Sequence, residues 1–426
     1  MKAVLVLSLV LALPVLAAEP FEPADSVETN LAQMRKLPTD RIWWRVNGRD
    51  MWWNNRNVQA FYPAVNVYRA GPVRELAYDP DPSVRDFAVQ TPQGPQPFMK
   101  FLDSDASTTM GVVILHHGRI VFEHYPRQQP YEKPIYWSVT KAFVGTLVAM
   151  LEDQGRVDVS QPIETYIPEL AGSSYAGVPV RDILDMASGV DCADDYDSDT
   201  ACYHRFAESY GDEVRTADSP DNPYDFVAHL KLARRAEPGT SFAYSGVDTF
   251  VLGWLVEKVT GMPLNDALSK LVWTRIGAES DAAFLAPRLG IPLAEGGLLA
   301  TVRDVARFGL LFTPSWKVVA DQRLISDRYL DTILHGGNPR LLDNSNNGNA
   351  RGADVRFNVY QWDAVFTNDD FTKGGFGGQG LLINPRLDLV AVWTGYFDDA
   401  GKDDNLLAKL RAIFAGVYGD QAQAGN

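Results

Sequence analysis

The chain has 426 residues, 46% hydrophobic and 22% charged, enough for one large domain or two ordinary ones around a substantial core. Its formal net charge is −15. That excludes nucleic acid or an anionic membrane surface as the main partner, because phosphate binding needs a concentrated basic surface.

Met1-Lys2 followed by the apolar run Ala3 to Leu16 and a small-residue site at Val15-Leu16-Ala17 predicts a cleaved export signal over residues 1–17. No later segment approaches about 18 uninterrupted apolar residues, so no stable membrane insertion is expected after cleavage. Residues 18–100 read as an N-terminal arm rich in Trp, Asn, Pro and Arg, with Trp43-Trp44 and Trp52-Trp53. Its many prolines break long helices, and its aromatics are expected to pack on the body of the protein.

From Met110 the pattern changes. Val112 to Leu115 and Ile120 to Phe122, joined by His116-His117-Gly118-Arg119, predict a hairpin. Strand alternation would point His116 and His117 to opposite faces, so no metal site is expected there. Next comes Ser138-Val139-Thr140-Lys141, opening a long apolar run that ends near Gly155. Three residues is close to one helical turn, so the Ser hydroxyl and the Lys amine project from one face. A Ser is a poor nucleophile until a base activates it, and a desolvated Lys is one of the few groups able to do so. Ser138 is therefore the candidate nucleophile and Lys141 its base or base-orienter.

Cys192 and Cys202, closely spaced in an exported chain, predict a disulfide pinning the loop from Asp191 to Tyr203. The aspartates of that loop (Asp191, Asp194, Asp195, Asp197, Asp199) lack the Gly and terminal Glu of a calcium loop and read as solvated. The stretch from about Asp158 to Asp281 reads as mostly helical. Val247, Val251, Trp254, Leu255 and Val259 recur at helical spacing, with Gly261 closing the helix. Tyr244 stands just before it, where a nearby Lys could make it a general acid or base. Thr301 caps another helix running to about Phe312. Asn344 to Asn349 is a polar surface loop.

Lys373-Gly374-Gly375-Phe376-Gly377-Gly378-Gln379-Gly380 leads into a strand. Glycines let backbone approach a ligand, and acyl transfer needs two N–H donors at the developing oxyanion. The backbone N–H groups of Ser138 and Phe376 are the candidates. The run holds a G-x-G-x-x-G, but a strand rather than a helix follows, which excludes a dinucleotide loop. Gly380 to Asn384 and Leu389 to Trp393 predict a second hairpin, and Asn405 to Val417 a last helix. Strands at both ends of the chain flanking a helical middle predict an α+β fold with an antiparallel sheet built from both ends.

Ser-x-x-Lys, Tyr244-Ser245-Gly246 and Lys373-Gly374-Gly375, in this order, resemble the motifs of the serine β-lactamase and penicillin-recognising superfamily. Within it, the chain is most similar to the esterase and nylon-oligomer hydrolase branch. The likeness runs from Met110 to Val417 through Glu169 to Ser173, Asp182 to Met186, Asp194-Asp195-Tyr196 and Asp248 to Trp254. It continues through Gly296-Gly297-Leu298 with Asp304 to Arg307, and Gln361-Trp362.

The resemblance implies a β-lactamase/transpeptidase-like fold over residues 101–426 and a covalent acyl-enzyme at Ser138, with Lys141 and Tyr244 moving the proton. It also implies Tyr196 as a substrate-gating or leaving-group contact and Lys373 as a partner for a substrate carboxylate. Trp137, Trp362 and Gly375 complete the expected substrate-binding set. Small esters or amides are the expected substrates, without cofactor or metal; oligomeric state has no sequence signal. A D-amino-acid peptidase or weak β-lactamase of the same fold, and a non-catalytic binding protein, are the alternatives. Gly246 replaces the Asn of β-lactamases, and Gly374 their third-motif Thr. The nylon-oligomer branch carries Asn where this chain has Glu295, and a third-motif His where it has Gly.

Overall fold

The computed structural model describes residues 21–38, 42–196, 201–343 and 354–419. The predicted export signal, the polar loop at 344–349, and Asp197 and Asp199 lie outside the described residues. The chain divides into two units, 1–36 and 37–426. In the first, helix α1 (Val27–Met34) is capped by Ser26, whose hydroxyl accepts the Thr29 N–H at 3.1 Å.

In the second unit the arm residues are built into the body. Helix α2 (Gly48–Asn57) forms over the Trp52-Trp53-Asn54-Asn55-Arg56-Asn57 segment, where residue preferences do not predict a helix. Tertiary contacts hold it there: the Asn54 amide donates to Trp43 O at 3.0 Å, and buried Arg56 pairs with Glu132 at 2.9 Å. Strand β1 (Ala64–Val67) pairs antiparallel with β4 (Ala282–Leu285), which pairs with β5 (Leu298–Leu299).

The main sheet is antiparallel and drawn from both chain ends, as the strand pattern predicts. Its first strands are β2 (Thr109–His116) and β3 (Arg119–His124). The rest are β6 (Val355–Val359), β7 (Trp362–Phe366), β8 (Phe371–Gly375), β9 (Gln379–Asn384) and β10 (Leu389–Gly395), in the order β3-β2-β10-β9-β8-β7-β6. The β2–β3 turn places His117 and Gly118 at φ 49° and 71°, the geometry that matches hairpin twist. His117 thereby leaves the strand, and its ring lies 3.9 Å from that of His116; the expectation of opposite faces does not hold.

Both faces of the sheet are covered, and strand periodicity decides which residue goes where. Val113 and Leu115 of β2 and Val390 and Val392 of β10 enter the larger core. Val112, Ile114, Leu389 and Ala391 enter the smaller core with Leu406, Leu410 and Ile413 of the last helix. The larger core packs on α3 (Thr140–Asp153), whose residues from Thr140 to Leu151 are all buried. It also takes in helix α4 (Cys202–Tyr210) and α5 (Gly246–Thr260), which Ser245 caps by accepting the Asp248 N–H, and α6 (Val302–Leu310), which Thr301 caps in the same way. Arg307 of α6 is fully buried and paired with Asp304 at 3.2 Å and Glu279 at 2.7 Å. Burial of each such Val or Leu contributes about 1.5–3 kcal/mol. The last helix, α7 (Leu406–Ile413), ends in a π-helical turn over Phe414–Tyr418.

Candidate active site

Ser138 sits in a 3-10 turn, Trp137–Val139, at the entrance of α3. Trp137 has φ 45°, a sparsely populated conformation for a bulky residue that survives only where surroundings enforce it. Here they do. The indole stacks on Trp43 at 5.5 Å, meets Trp44 and Phe376 edge-on, and donates to Asn55 Oδ1 at 3.3 Å. The neighbouring strand β8 comes so close that a Cβ on Gly375 would lie 2.4 Å from Tyr136 O. Only glycine permits that approach.

Lys141, on the first turn of α3, is almost wholly buried, and its ammonium donates to Glu295 O at 2.7 Å. Burial pulls its pKa below the usual lysine range, with Asp194, Glu295 and Asp363 opposing. Its Nζ is 5.2 Å from the ring centre of Tyr244. Tyr244, before the α5 cap, takes a hydrogen bond on its phenol oxygen from Lys373 Nζ at 2.9 Å. Lys373 also pairs with Asp363 at 2.5 Å, and the second Asp363 oxygen accepts the Gly374 N–H at 2.9 Å.

Ser138 borders two cavities. The outer cleft, about 730 Å³, is lined by Ser138, Tyr196, Tyr244, Asp363, Gly374, Gly375, Phe376 and Arg411 among others. The inner chamber, about 40 Å³, is lined by Ser138, Lys141, Trp44, Trp137, Tyr196, Tyr203, Phe376, Asp194, Asp212 and Glu295, with Leu293 and Gly296. The β8–β9 hairpin tip, with Gly377 and Gly378 at φ 81° and 85°, sets Phe376 at the border of both. Cys192 and Cys202 form the expected disulfide, with Cα atoms 5.1 Å apart.

Most residues singled out in the sequence therefore meet here: Ser138, Lys141, Tyr244, Phe376, Tyr196, Trp137 and Gly375. Two do not reach the cavity walls. Trp362 is buried against Phe371, Phe312 and the Tyr329 hydroxyl, a core side chain rather than a substrate contact. Lys373 is fully buried and already paired with Asp363, so a substrate carboxylate does not meet a free cation there.

Sequence reasoning missed Asp363, although it adjoins Trp362; successive strand residues point to opposite faces. It also missed Asp212 and Arg411, for which no local signal exists; Trp44, expected only to pack on the body of the protein, lines the inner chamber. Asp194 is half-buried and bonded rather than simply solvated: its carboxylate accepts the Gly246 N–H at 2.6 Å and the Tyr196 hydroxyl at 3.0 Å.

The sequence signature of the Beta-lactamase family matches residues 96–414. The chain belongs to the beta-lactamase family. Its relatives include 6-aminohexanoate-dimer hydrolase of Paenarthrobacter ureafaciens, 32% identical over 300 residues, 69% of this chain and 74% of that protein. Esterase EstB of Burkholderia gladioli is 30% identical over 170 residues, 37% of this chain and 41% of that protein. Among solved structures, a Bacillus anthracis protein provisionally named a 6-aminohexanoate-dimer hydrolase superposes with TM-score 0.74 at 22% identity, covering 92% of this chain and 97% of that one. These matches make this beta-lactamase-family chain a serine hydrolase with the β-lactamase/transpeptidase-like fold.

Proposed function

We propose that the protein is an exported hydrolase that cleaves small ester or amide bonds through an acyl-enzyme on Ser138. The observation that carries this reading is the buried Lys141, its pKa depressed by burial, one helical turn from Ser138 and beside Tyr244. A neutral amine can accept the serine proton, and a cation on a phenol oxygen favours its anionic form, so Lys141 and Tyr244 can share the transfer.

The Ser138 oxygen attacks the carbonyl carbon while its proton passes to Lys141 and Tyr244. The tetrahedral oxyanion collects hydrogen bonds from the N–H groups of Ser138 and Phe376. The carbonyl re-forms, the scissile bond breaks, and the leaving alcohol or amine takes the proton. Water, deprotonated by the same pair, then attacks the ester carbon and releases the acid and Ser138. Tyr196, held by Asp194, stands beside the leaving group. Gly246 and the paired Lys373 argue against efficient β-lactam turnover: position 246 brings no side-chain amide to the substrate, and Lys373 is already held by Asp363. The export signal over residues 1–17 is part of this reading, supported by the disulfide.

The test is hydrolysis of a short-chain nitrophenyl ester, a linear amide and a chromogenic cephalosporin, each beside Ser138→Ala. Ester or amide turnover lost in the variant is expected. Turnover that survives in Ser138→Ala would overturn the assignment.

A further inference from the structure

Parts of the chain that frame Ser138 from opposite sides are tied together by the N-terminal arm. The turn from Ile42 to Val46, held by the Val46 N–H on Trp44 O at 2.8 Å, sends out Trp43, Trp44 and Arg45 in succession. Trp43 stacks on Trp137, the residue before Ser138. Trp44 meets Phe376 and Tyr196 edge-on at 5.6 and 5.7 Å. Arg45 reaches the chain around the disulfide: its Nη2 donates to Tyr196 O at 3.0 Å and to His204 Nε2 at 3.2 Å. An arginine side chain has no acceptor, so His204 Nε2 accepts and its Nδ1–H donates to Glu213 at 2.7 Å. His204 is buried, so this pair fixes where the guanidinium sits.

Tyr196 needs such a hold. It borders both cavities at Ser138 yet is 37% exposed, and the rings beside it, Trp44, Tyr203 and Phe376, meet it edge-on or tilted at 5.1–6.0 Å. Packing on one side of a rim residue leaves it other rotamers; hydrogen bonds at its two ends do not. We propose that Arg45 is a positioning residue for Tyr196: by fixing the Tyr196 carbonyl it holds the ring at the Ser138 cavities, and so sets the rate of acylation. This rests on the hydrolase reading above and adds to it a residue outside positions 96–414, the stretch that carries the family signature.

Three observations support it. The Arg45 bond to a carbonyl is charge-assisted, the stronger kind of hydrogen bond, from a group that stays charged at any working pH. The arm that carries it is itself anchored: the Asn54 amide holds Trp43 O, and the Tyr62 hydroxyl donates to Asp212, next to Glu213, at 2.8 Å. Finally, the bonds continue from Tyr196 into the machinery. Its hydroxyl is held by Asp194, whose carboxylate accepts the Gly246 N–H and whose own N–H donates to Tyr244 O at 2.9 Å. Arg45, Tyr196, Asp194 and Tyr244 therefore form one continuous chain of hydrogen bonds from the arm to the residue that shares the proton transfer.

The experiment is a double-mutant cycle over wild type, Arg45→Met, Tyr196→Ala and the double variant. It is read by kcat/KM for p-nitrophenyl butyrate and by the rate of labelling with a fluorophosphonate. Arg45→Met should lower both by about tenfold or more, with Tm measured alongside to separate misplacement from unfolding. On the Tyr196→Ala background the same change should matter by less than about twofold, because the ring that Arg45 holds is gone. An arginine with a merely structural role would lower both backgrounds alike. Arg45→Lys, which keeps the charge but not the planar fork, takes its place in the cycle if Arg45→Met does not fold. No loss in the arginine variant, or an equal loss with and without the Tyr196 ring, overturns the inference and leaves the hydrolase reading intact. Absence of all Ser138-dependent turnover and of labelling overturns both.

Discussion

The two sides of Tyr244 hold a lysine each, and the two lysines have opposite surroundings. On the helix side, Lys141 is buried with its amine hydrogen-bonded to a backbone oxygen, and its pKa is pulled down. On the sheet side, Lys373 is buried just as deeply but neutralised by Asp363 at 2.5 Å. Burial alone favours the neutral amine, whereas burial with a carboxylate favours the ion pair. On the proposed mechanism this contrast gives one residue type two kinds of work: Lys141 would accept a proton, and Lys373 would hold Tyr244 through its hydrogen bond to the phenol oxygen.

The sharpest way to break this comparison is to remove the lysines singly. Lys141→Ala should lower kcat/KM by about 10²–10⁴, the range for a lost general base, and slow acylation by a reactive ester equally. The pH profile sharpens the point. Lys141 accepts a proton only when neutral, so activity should rise with pH through a value below the ordinary lysine pKa of 10.5 and fall away on the acid side. A limb at the ordinary value would mean that burial does not tune this amine.

The sheet-side pair should answer first in stability. Asp363→Asn leaves the Lys373 ammonium buried with its carboxylate partner gone. It should cost about 3 kcal/mol, the low end for a pair broken from one side, since Asp363 is a quarter exposed. Chemical denaturation measures it, and a double variant with Lys373→Met should recover stability but not activity.

A smaller effect separates inner chamber from cleft. Glu295 holds its proton up to about pH 8 in the folded state against an ordinary value of 4.5. The folded protein therefore binds that proton more tightly, and the contribution is full below 4.5 and lost as pH rises through 8. Glu295→Gln should thus raise Tm relative to wild type more above about pH 8 than at about pH 5.

What was legible in the sequence was local. Ser138 and Lys141 announce themselves by helical spacing, Tyr244 by its place before a capped helix, and Phe376 by the glycines around it. The strand hairpins and the sheet built from both ends followed from turn residues and periodicity. What was hidden depends on distant chain. Asp363 reaches Lys373 across a strand pair, and Trp44 reaches Phe376 across more than three hundred positions, at 5.6 Å. Trp362, which the resemblance puts in the substrate-binding set, is a core side chain instead, because a period of two does not say which face is the core. The helix at Gly48–Asn57 was missed because its residues have weak helical preference, and packing supplies what propensity lacks.

The most direct test of the central claim is the mass of the protein after exposure to a fluorophosphonate probe, with peptide mapping, in wild type, Ser138→Ala and Lys141→Ala. The account predicts one adduct on Ser138 in the wild type, none in Ser138→Ala, and much slower labelling in Lys141→Ala. An adduct on another residue, or labelling of Lys141→Ala at the wild-type rate, would contradict it.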